Sequence, residues 1–359
     1  MTRSMTLVLL LCLTYTLHTS GADSVPEPDE KSVSTKAVST NDVFLGTTFT
    51  LEMGFCVGTE NIPYTGDFDG DGNEDLLFHD SKTGSKRIYY ASCDGTFNGD
   101  RSWRREMAFC HQNGYELFIG DFNGDGRSDM LCHVPQTGQK WVAKAQPGGV
   151  FTVTPWYYSM NWCKGSTETL YVADFNADGR DDILCHTAST GYIKISYARY
   201  DGTFSTSACY TRSMSWCKGT NQRLFTGDFN GDRRADMLCH DYSNGYIYVA
   251  AATATGGFTS ITWSRSLGWC KHSNSELSVG DFNKDNRDDI MCSDTNGPYW
   301  IAFSLYNGSF SSKGWTRKQN WCTSGNNVLV SDVNGDGGDD LLCHNEDDGI
   351  KYISINQKA

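Results

Sequence analysis

Six short segments of this 359-residue chain set oxygen donors at a fixed spacing. They read GDFDGDGNEDLLFHD, GDFNGDGRSDMLCHV, ADFNADGRDDILCHT, GDFNGDRRADMLCHD, GDFNKDNRDDIMCSD and SDVNGDGGDDLLCHN, with leading aspartates Asp67, Asp121, Asp174, Asp228, Asp281 and Asp332. Counted from that aspartate, carboxylates or amides recur at positions 3, 5 and 9, and position 7 can offer a backbone carbonyl. The donor sets are Asp67, Asp69, Asp71, Asn73 and Asp75; Asp121, Asn123, Asp125, Arg127 and Asp129; and Asp174, Asn176, Asp178, Arg180 and Asp182. They continue as Asp228, Asn230, Asp232, Arg234 and Asp236; Asp281, Asn283, Asp285, Arg287 and Asp289; and Asp332, Asn334, Asp336, Gly338 and Asp340. A hard cation that takes six to eight oxygens suits such a loop, so the expectation is up to six Ca2+. Polar turns also favour Asp and Asn. Turn chemistry alone does not require four fixed oxygen positions in six registered copies.

Gly126 at position 6 permits the sharp turn that brings the ninth residue back. Arg233 and Asn286 replace that glycine, so the fourth and fifth loops are expected to hold the ion less well. EF-hands are excluded, because position 12 is Phe78, Cys132, Cys185, Cys239, Cys292 and Cys343 where a bidentate Glu is required.

The loops begin 54, 53, 54, 53 and 51 residues apart, so they punctuate a repeat. Each is preceded by an apolar stretch such as Leu117-Phe118-Ile119 and followed by one such as Asp129-Met130-Leu131-Cys132-His133. A Thr-Gly or Asn-Gly turn, a strand such as Tyr192-Ile193-Lys194-Ile195, a Gly-x-Phe segment and an aromatic segment complete the unit. Four short strands in about 50 residues is one propeller blade. The chain starts within one unit at Gly46-Thr47-Thr48-Phe49 and ends within another at Gly349 to Ile353, so its N-terminal strand can complete the last blade and cover open edges. The expected fold is an all-β, six-bladed β-propeller closed by its two ends.

Pattern, period and flanking strands together resemble the FG-GAP/VCBS repeats of integrin α-chain propellers and related secreted propellers. The resemblance extends over about six units and implies a β-propeller with calcium in loops between blade strands. More distantly the repeat is similar to propeller lectins, although their sugar-binding residues cannot be matched one by one.

Residues 1–22 read as a signal peptide, with Arg3 ahead of an apolar run too short to span a bilayer. Residues 23–42, rich in Ser, Thr, Pro and charge, read as a disordered linker or propeptide, and 43–359 as one propeller domain. A secreted location follows, with no transmembrane segment and with Asn307 in a glycosylation sequon. The formal charge of −13 becomes −14 without Arg3, and six Ca2+ would bring it to about −2. The acidity is therefore metal-site charge, and nucleic-acid binding, which wants a basic face, is excluded.

Cysteines recur 21 or 22 residues apart as Cys110/Cys132, Cys163/Cys185, Cys217/Cys239, Cys270/Cys292 and Cys322/Cys343, suggesting five disulfides. Each would contribute roughly 3 kcal/mol by the chain-entropy account. Cys56–Cys93 is the remaining candidate pair, leaving Cys209 as the odd thiol.

An aromatic precedes the first cysteine of each pair, and another lies six positions earlier: Trp103, Trp156, Tyr210, Trp263 and Trp315, with Phe49 in the first unit. Packing between blades is the plain reading of these rings. If some of the second set are exposed, they would stack on sugar rings once per blade. His79, His133, His186, His240 and His344 follow the second cysteine position. A local hydrogen bond in each blade accounts for them better than a shared metal does.

No nucleophile elbow, zinc-protease helix motif or phosphate-binding glycine loop is present. A glycosidase built on Glu106 or Glu168 has no pattern behind it. The function expected is non-catalytic extracellular recognition, through multivalent carbohydrate binding or adhesion to glycans and glycoproteins. The alternative is a matrix or biomineral-associated structural protein.

Overall fold

A computed structural model describes residues 43–358 except 45–48, 53–57, 59, 152–155, 161, 272–274, 295–297, 313, 319–321, 323–325 and 348. The signal-peptide and linker segments and Cys56 lie outside the described residues. The apolar stretch before each Asp loop becomes an inner strand, and the stretch after it becomes a second strand with up to six consecutive buried residues. In the first unit these are Asn61–Gly66 and Asp75–Asp80, followed by Ser85–Ala91 and Phe97–Glu106 in one antiparallel sheet. Four further sheets repeat that order, starting at Glu116–Gly120, Glu168–Ala173, Gln222–Gly227 and Ser275–Gly280.

The sixth sheet takes Asn326–Ser331, Asp340–Asn345 and Ile350–Ser354 from the C-terminus and its outer strand, Phe49–Glu52, from the N-terminus. Phe49 pairs with Ile353 and Glu52 with Ile350, so the ends close the ring as the split unit implies. Inner strands neighbour one another all round, blade 6 meeting blade 1, in a six-bladed propeller. Among the described residues no helix is long and apolar enough to cross a membrane.

Blades join through apolar contacts. Position 2 of each loop is a fully buried Phe68, Phe122, Phe175, Phe229, Phe282 or Val333. The first four meet, edge to face, the phenylalanine of the next blade's Gly-x-Phe segment: Phe68–Phe151, Phe122–Phe204, Phe175–Phe258 and Phe229–Phe310, at 5.5–5.8 Å between centroids. N-terminal Phe44 supplies that ring for Phe282 at 5.9 Å, so the N-terminus completes blade 6 twice over.

Among the described residues five disulfides form, Cys110–Cys132, Cys163–Cys185, Cys217–Cys239, Cys270–Cys292 and Cys322–Cys343. Each joins the segment leaving one blade to the second strand of the next. Five such bonds indicate an oxidising environment. The first cysteine of every pair has a positive φ, between 51° and 57°. His79, His133, His186 and His240 bond the backbone of Cys110, Cys163, Cys217 and Cys270, so they act locally, blade by blade. Cys209 is an exposed free thiol.

Lys86, Lys140 and Lys351 are fully buried beside His79, His133 and His344, at the position that Ile193 and Ile247 fill in blades 3 and 4. Burial lowers Lys86 and Lys140 to about 7. Lys140 donates one bond, to the Gly138 carbonyl at 3.3 Å, and sits over Trp162. A buried cation without a paired carboxylate carries an uncompensated desolvation cost, and isoleucine fills the equivalent position in blades 3 and 4. Lys140→Ile is therefore expected to hold or raise the melting temperature, and a fall of several degrees in a thermal melt would show that the lysine is required.

Candidate calcium loops and an inter-blade cleft

The six loops share one scaffold built on the position-1 carboxylate. In the second loop, Asp121 Oδ1 accepts the amides of Asn123, Gly124 and Asp125, and Oδ2 accepts that of Gly126. The fourth and fifth loops keep this arrangement with Arg233 and Asn286 at φ 67° and 61°, whose amides still reach Asp228 and Asp281. A left-handed non-glycine residue costs about 1–3 kcal/mol, so in these two loops the cost falls on the backbone while the donor geometry is retained.

The position-9 aspartates are buried almost completely. In the third loop, Asp182 accepts the Phe175 amide at the loop start and, at 2.8 Å, the Ala198 amide beyond the third strand. Asp75, Asp289 and Asp340 make the same double clamp, while Asp129 and Asp236 bond Asn123 and Asn230 together with the distal amide. Burial raises Asp129 and Asp236 to about 7 and Asp75, Asp182, Asp289 and Asp340 to about 8, with neighbouring loop carboxylates adding to the rise.

The donor set fits calcium. In the first loop, oxygens of Asp67, Asp69 and Asp71 lie within 4.8 Å of one another, a separation that one ion about 2.4 Å from each can bridge. The position-3 oxygens Asp69 Oδ1 and Asn176 Oδ1 are buried without a partner. Position-5 carboxylates pair with cations: Asp125 with Arg127, Asp178 with Arg180, Asp232 with Arg234, Asp285 with Arg287 and Asp336 with Lys284. Arg101 approaches Asp69 at 2.9 Å, balancing the first loop's extra charge. Position 7 thus offers a guanidinium in four loops besides its carbonyl.

Position 8 does structural work that the repeat alone does not announce. Its amide donates to the position-1 carbonyl of the preceding blade at all six junctions, from Ser128 to Asp67 round to Glu74 to Asp332. At three junctions its side chain adds a second bond, Asp181, Asp288 and Asp339 accepting the amides of Asp121, Asp228 and Asp281. Glu74 accepts the Ser331 hydroxyl. A Cβ on Gly120, Gly227 or Gly280 would come within 2.7 Å of these aspartates, so the small residue before position 1 leaves room for the next blade's acid. Burial raises Glu74 to about 6 and Asp181 and Asp288 to about 7.

The second aromatic set packs against the next blade. Trp103 meets Phe151 at 5.8 Å, Trp263 meets Phe310 at 5.6 Å, Trp315 meets Phe44 at 6.0 Å, and the Tyr210 hydroxyl donates to the Phe258 carbonyl at 3.3 Å. All four are half-buried, and the Trp156 side chain lies outside the described residues. Trp315 also lines a cleft of about 500 Å3 between blades 4 and 5. There Trp269 and Trp300 lie parallel, 6.4 Å apart with an 11° interplanar angle, beside Arg265 and Ser312. Asn307 is exposed at a hairpin tip, its Oδ1 accepting the Ser309 hydroxyl at 2.6 Å.

Residues 67–132, 121–185, 174–239 and 228–292 each match the FG-GAP-like repeat. The chain belongs to the FG-GAP-like repeat family. A comparison with curated proteins finds no match. Among solved structures, an Agrocybe aegerita lectin described as recognising non-reducing terminal N-acetylglucosamine superposes with a TM-score of 0.57 at 18% identity, over 84% of this chain and 78% of that one. The Photorhabdus luminescens Tc holotoxin pore superposes with a TM-score of 0.59 at 13% identity, over 88% of this chain and 15% of that one. At these identities the likeness is one of fold. Within this FG-GAP propeller the Asp loop recurs once per blade, and no loop residue is among the described residues that line the aromatic cleft.

Proposed function

We propose that this FG-GAP propeller is a secreted, non-catalytic recognition protein that binds carbohydrate and is held in shape by calcium. The observation that carries the reading is the cleft between blades 4 and 5. Its volume lies in the range of small-molecule sites, and its three tryptophans offer flat apolar faces for the C–H side of a sugar ring. None of their indole N–H groups is hydrogen-bonded among the described residues, which leaves donors for hydroxyls. The fold shared with a lectin supports the reading without assigning the sugar. The five disulfides and the sequon at Asn307 support a secretory route.

The calcium loops take a structural part in this proposal. Their oxygens face inward on the loop and bond its own backbone, so ion binding fixes the blade junctions that shape the cleft. A glycan array with calcium-loaded protein tests the reading. Binding that falls at least tenfold in Trp269→Ala and Trp300→Ala, with the calcium-loaded melting temperature retained, is the expected result. A silent array, or binding indifferent to both tryptophans, contradicts it.

A further inference from the structure

We infer that the cleft between blades 4 and 5 selects acidic saccharides and that Arg265 reads their carboxylate. This rests on the sugar-binding reading above and names the class of sugar.

The blades themselves provide the comparison. Arg105, Arg212, Arg265 and Arg317 occupy the same place, two residues after the outer-strand aromatic, in blades 1, 3, 4 and 5, and the Arg317 side chain lies outside the described residues. Arg105 donates to the Phe151 carbonyl of the next blade at 3.2 Å, and Arg212 donates to the corresponding Phe258 carbonyl. Those two guanidinium groups are spent on joining blades. Arg265 makes no hydrogen bond or ion pair among the described residues; it is exposed and lines the cleft.

Its surroundings set the sign of the ligand. Among the described residues no carboxylate lines the cleft, although the chain as a whole carries a formal charge of −13. A cation with no counter-charge among the described lining residues, set against tryptophan faces, is an anion site with an apolar floor. The guanidinium is a planar fork that matches a carboxylate through two parallel N–H···O bonds. The other polar side-chain groups of the lining are the indole N–H donors and the Ser311, Ser312 and Thr316 hydroxyls, which donate or accept. A pyranose carrying a carboxylate uses all of them, its C–H face on an indole and its acid on Arg265.

The test uses the calcium-loaded full chain and calorimetric titration with three matched oligosaccharides. These end in glucuronate, in glucose and in glucose 6-sulfate. Wild-type protein is expected to bind the glucuronate-ended sugar at least tenfold more tightly than the glucose-ended one, with the ratio shrinking as salt is raised. Arg265→Gln should bring the two affinities together, while Arg104→Gln, at an exposed site in blade 1, leaves the ratio unchanged. Equal wild-type affinity for the charged and neutral sugars, or a preference that survives Arg265→Gln, overturns the assignment and leaves the sugar-binding reading intact. Tighter binding of the sulfate overturns the carboxylate. Failure of all three sugars, together with a silent array, overturns the sugar-binding reading itself.

Discussion

Removing calcium is expected to lower the melting temperature of this FG-GAP propeller by at least about 10 °C. An ion that binds only the native state at 100 times its dissociation constant adds about 2.7 kcal/mol per site. Two loaded loops are therefore enough for such a shift, at about 2 °C per kcal/mol in a chain of this size. The effect should depend on pH with a definite sign. In calcium-free protein the folded-state values of the position-9 aspartates are about 7 to 8, against 3.8 when unfolded. The folded state then holds more protons than the unfolded state, and stability falls as pH rises through that window. His79 and His133, lowered to about 4 and 3, act oppositely below pH 6.5, and Lys86 and Lys140 oppose the trend above pH 7. Between pH 6.5 and 8 the six aspartates outweigh two lysines. Calcium-free protein should thus melt lower at pH 8 than at pH 6.5, and saturating calcium should abolish or reverse the difference. Melts by circular dichroism at the two pH values decide it, and a calcium-free protein more stable at pH 8 contradicts the account.

Asp182→Ala is expected to be among the most damaging single substitutions. It removes the acceptor for two buried amides, those of Phe175 and Ala198, and each orphaned donor costs about 1–3 kcal/mol. Under the calcium proposal it also removes a ligand. Asp182→Asn restores one acceptor and is neutral, as the protonated acid would be. Its cost in calcium-free protein should be well below that of Ala, and the gap from wild type should widen when calcium is added. Denaturant titration of the three proteins with and without calcium measures both differences. Equal stability of Ala and wild type without calcium would remove the clamp from the account.

The sequence carried the fold because its information is periodic. Loop spacing announced six units, the divided unit announced closure, and the recurring interval predicted the five disulfides found among the described residues. Position 8 escaped that logic, since its partner is the preceding blade's backbone and its side chain varies: Glu74, Asp181, Asp288 and Asp339 are acids, whereas Ser128 and Ala235 are not. Only contact with Gly120, Gly227 and Gly280 explains why acids fit there. The aromatic spacing identified rings between blades without telling a packed ring from an exposed one. Trp103 and Trp263 meet the next blade's phenylalanine, whereas Trp315 does the same with Phe44 and also borders the cleft. Arg265 was illegible for a related reason: it differs from Arg105 and Arg212 only in lacking a bond to the following blade.

Six loops with one donor pattern and one hydrogen-bond scaffold lead to one count. Equilibrium dialysis of the purified chain against radioactive calcium, at saturating free ion and neutral pH, measures it directly. The account predicts six ions per chain, and five when Asp121→Ala and Asp125→Ala are combined in the second loop. Retention of less than one ion per chain, or a count unaffected by that double substitution, would contradict it.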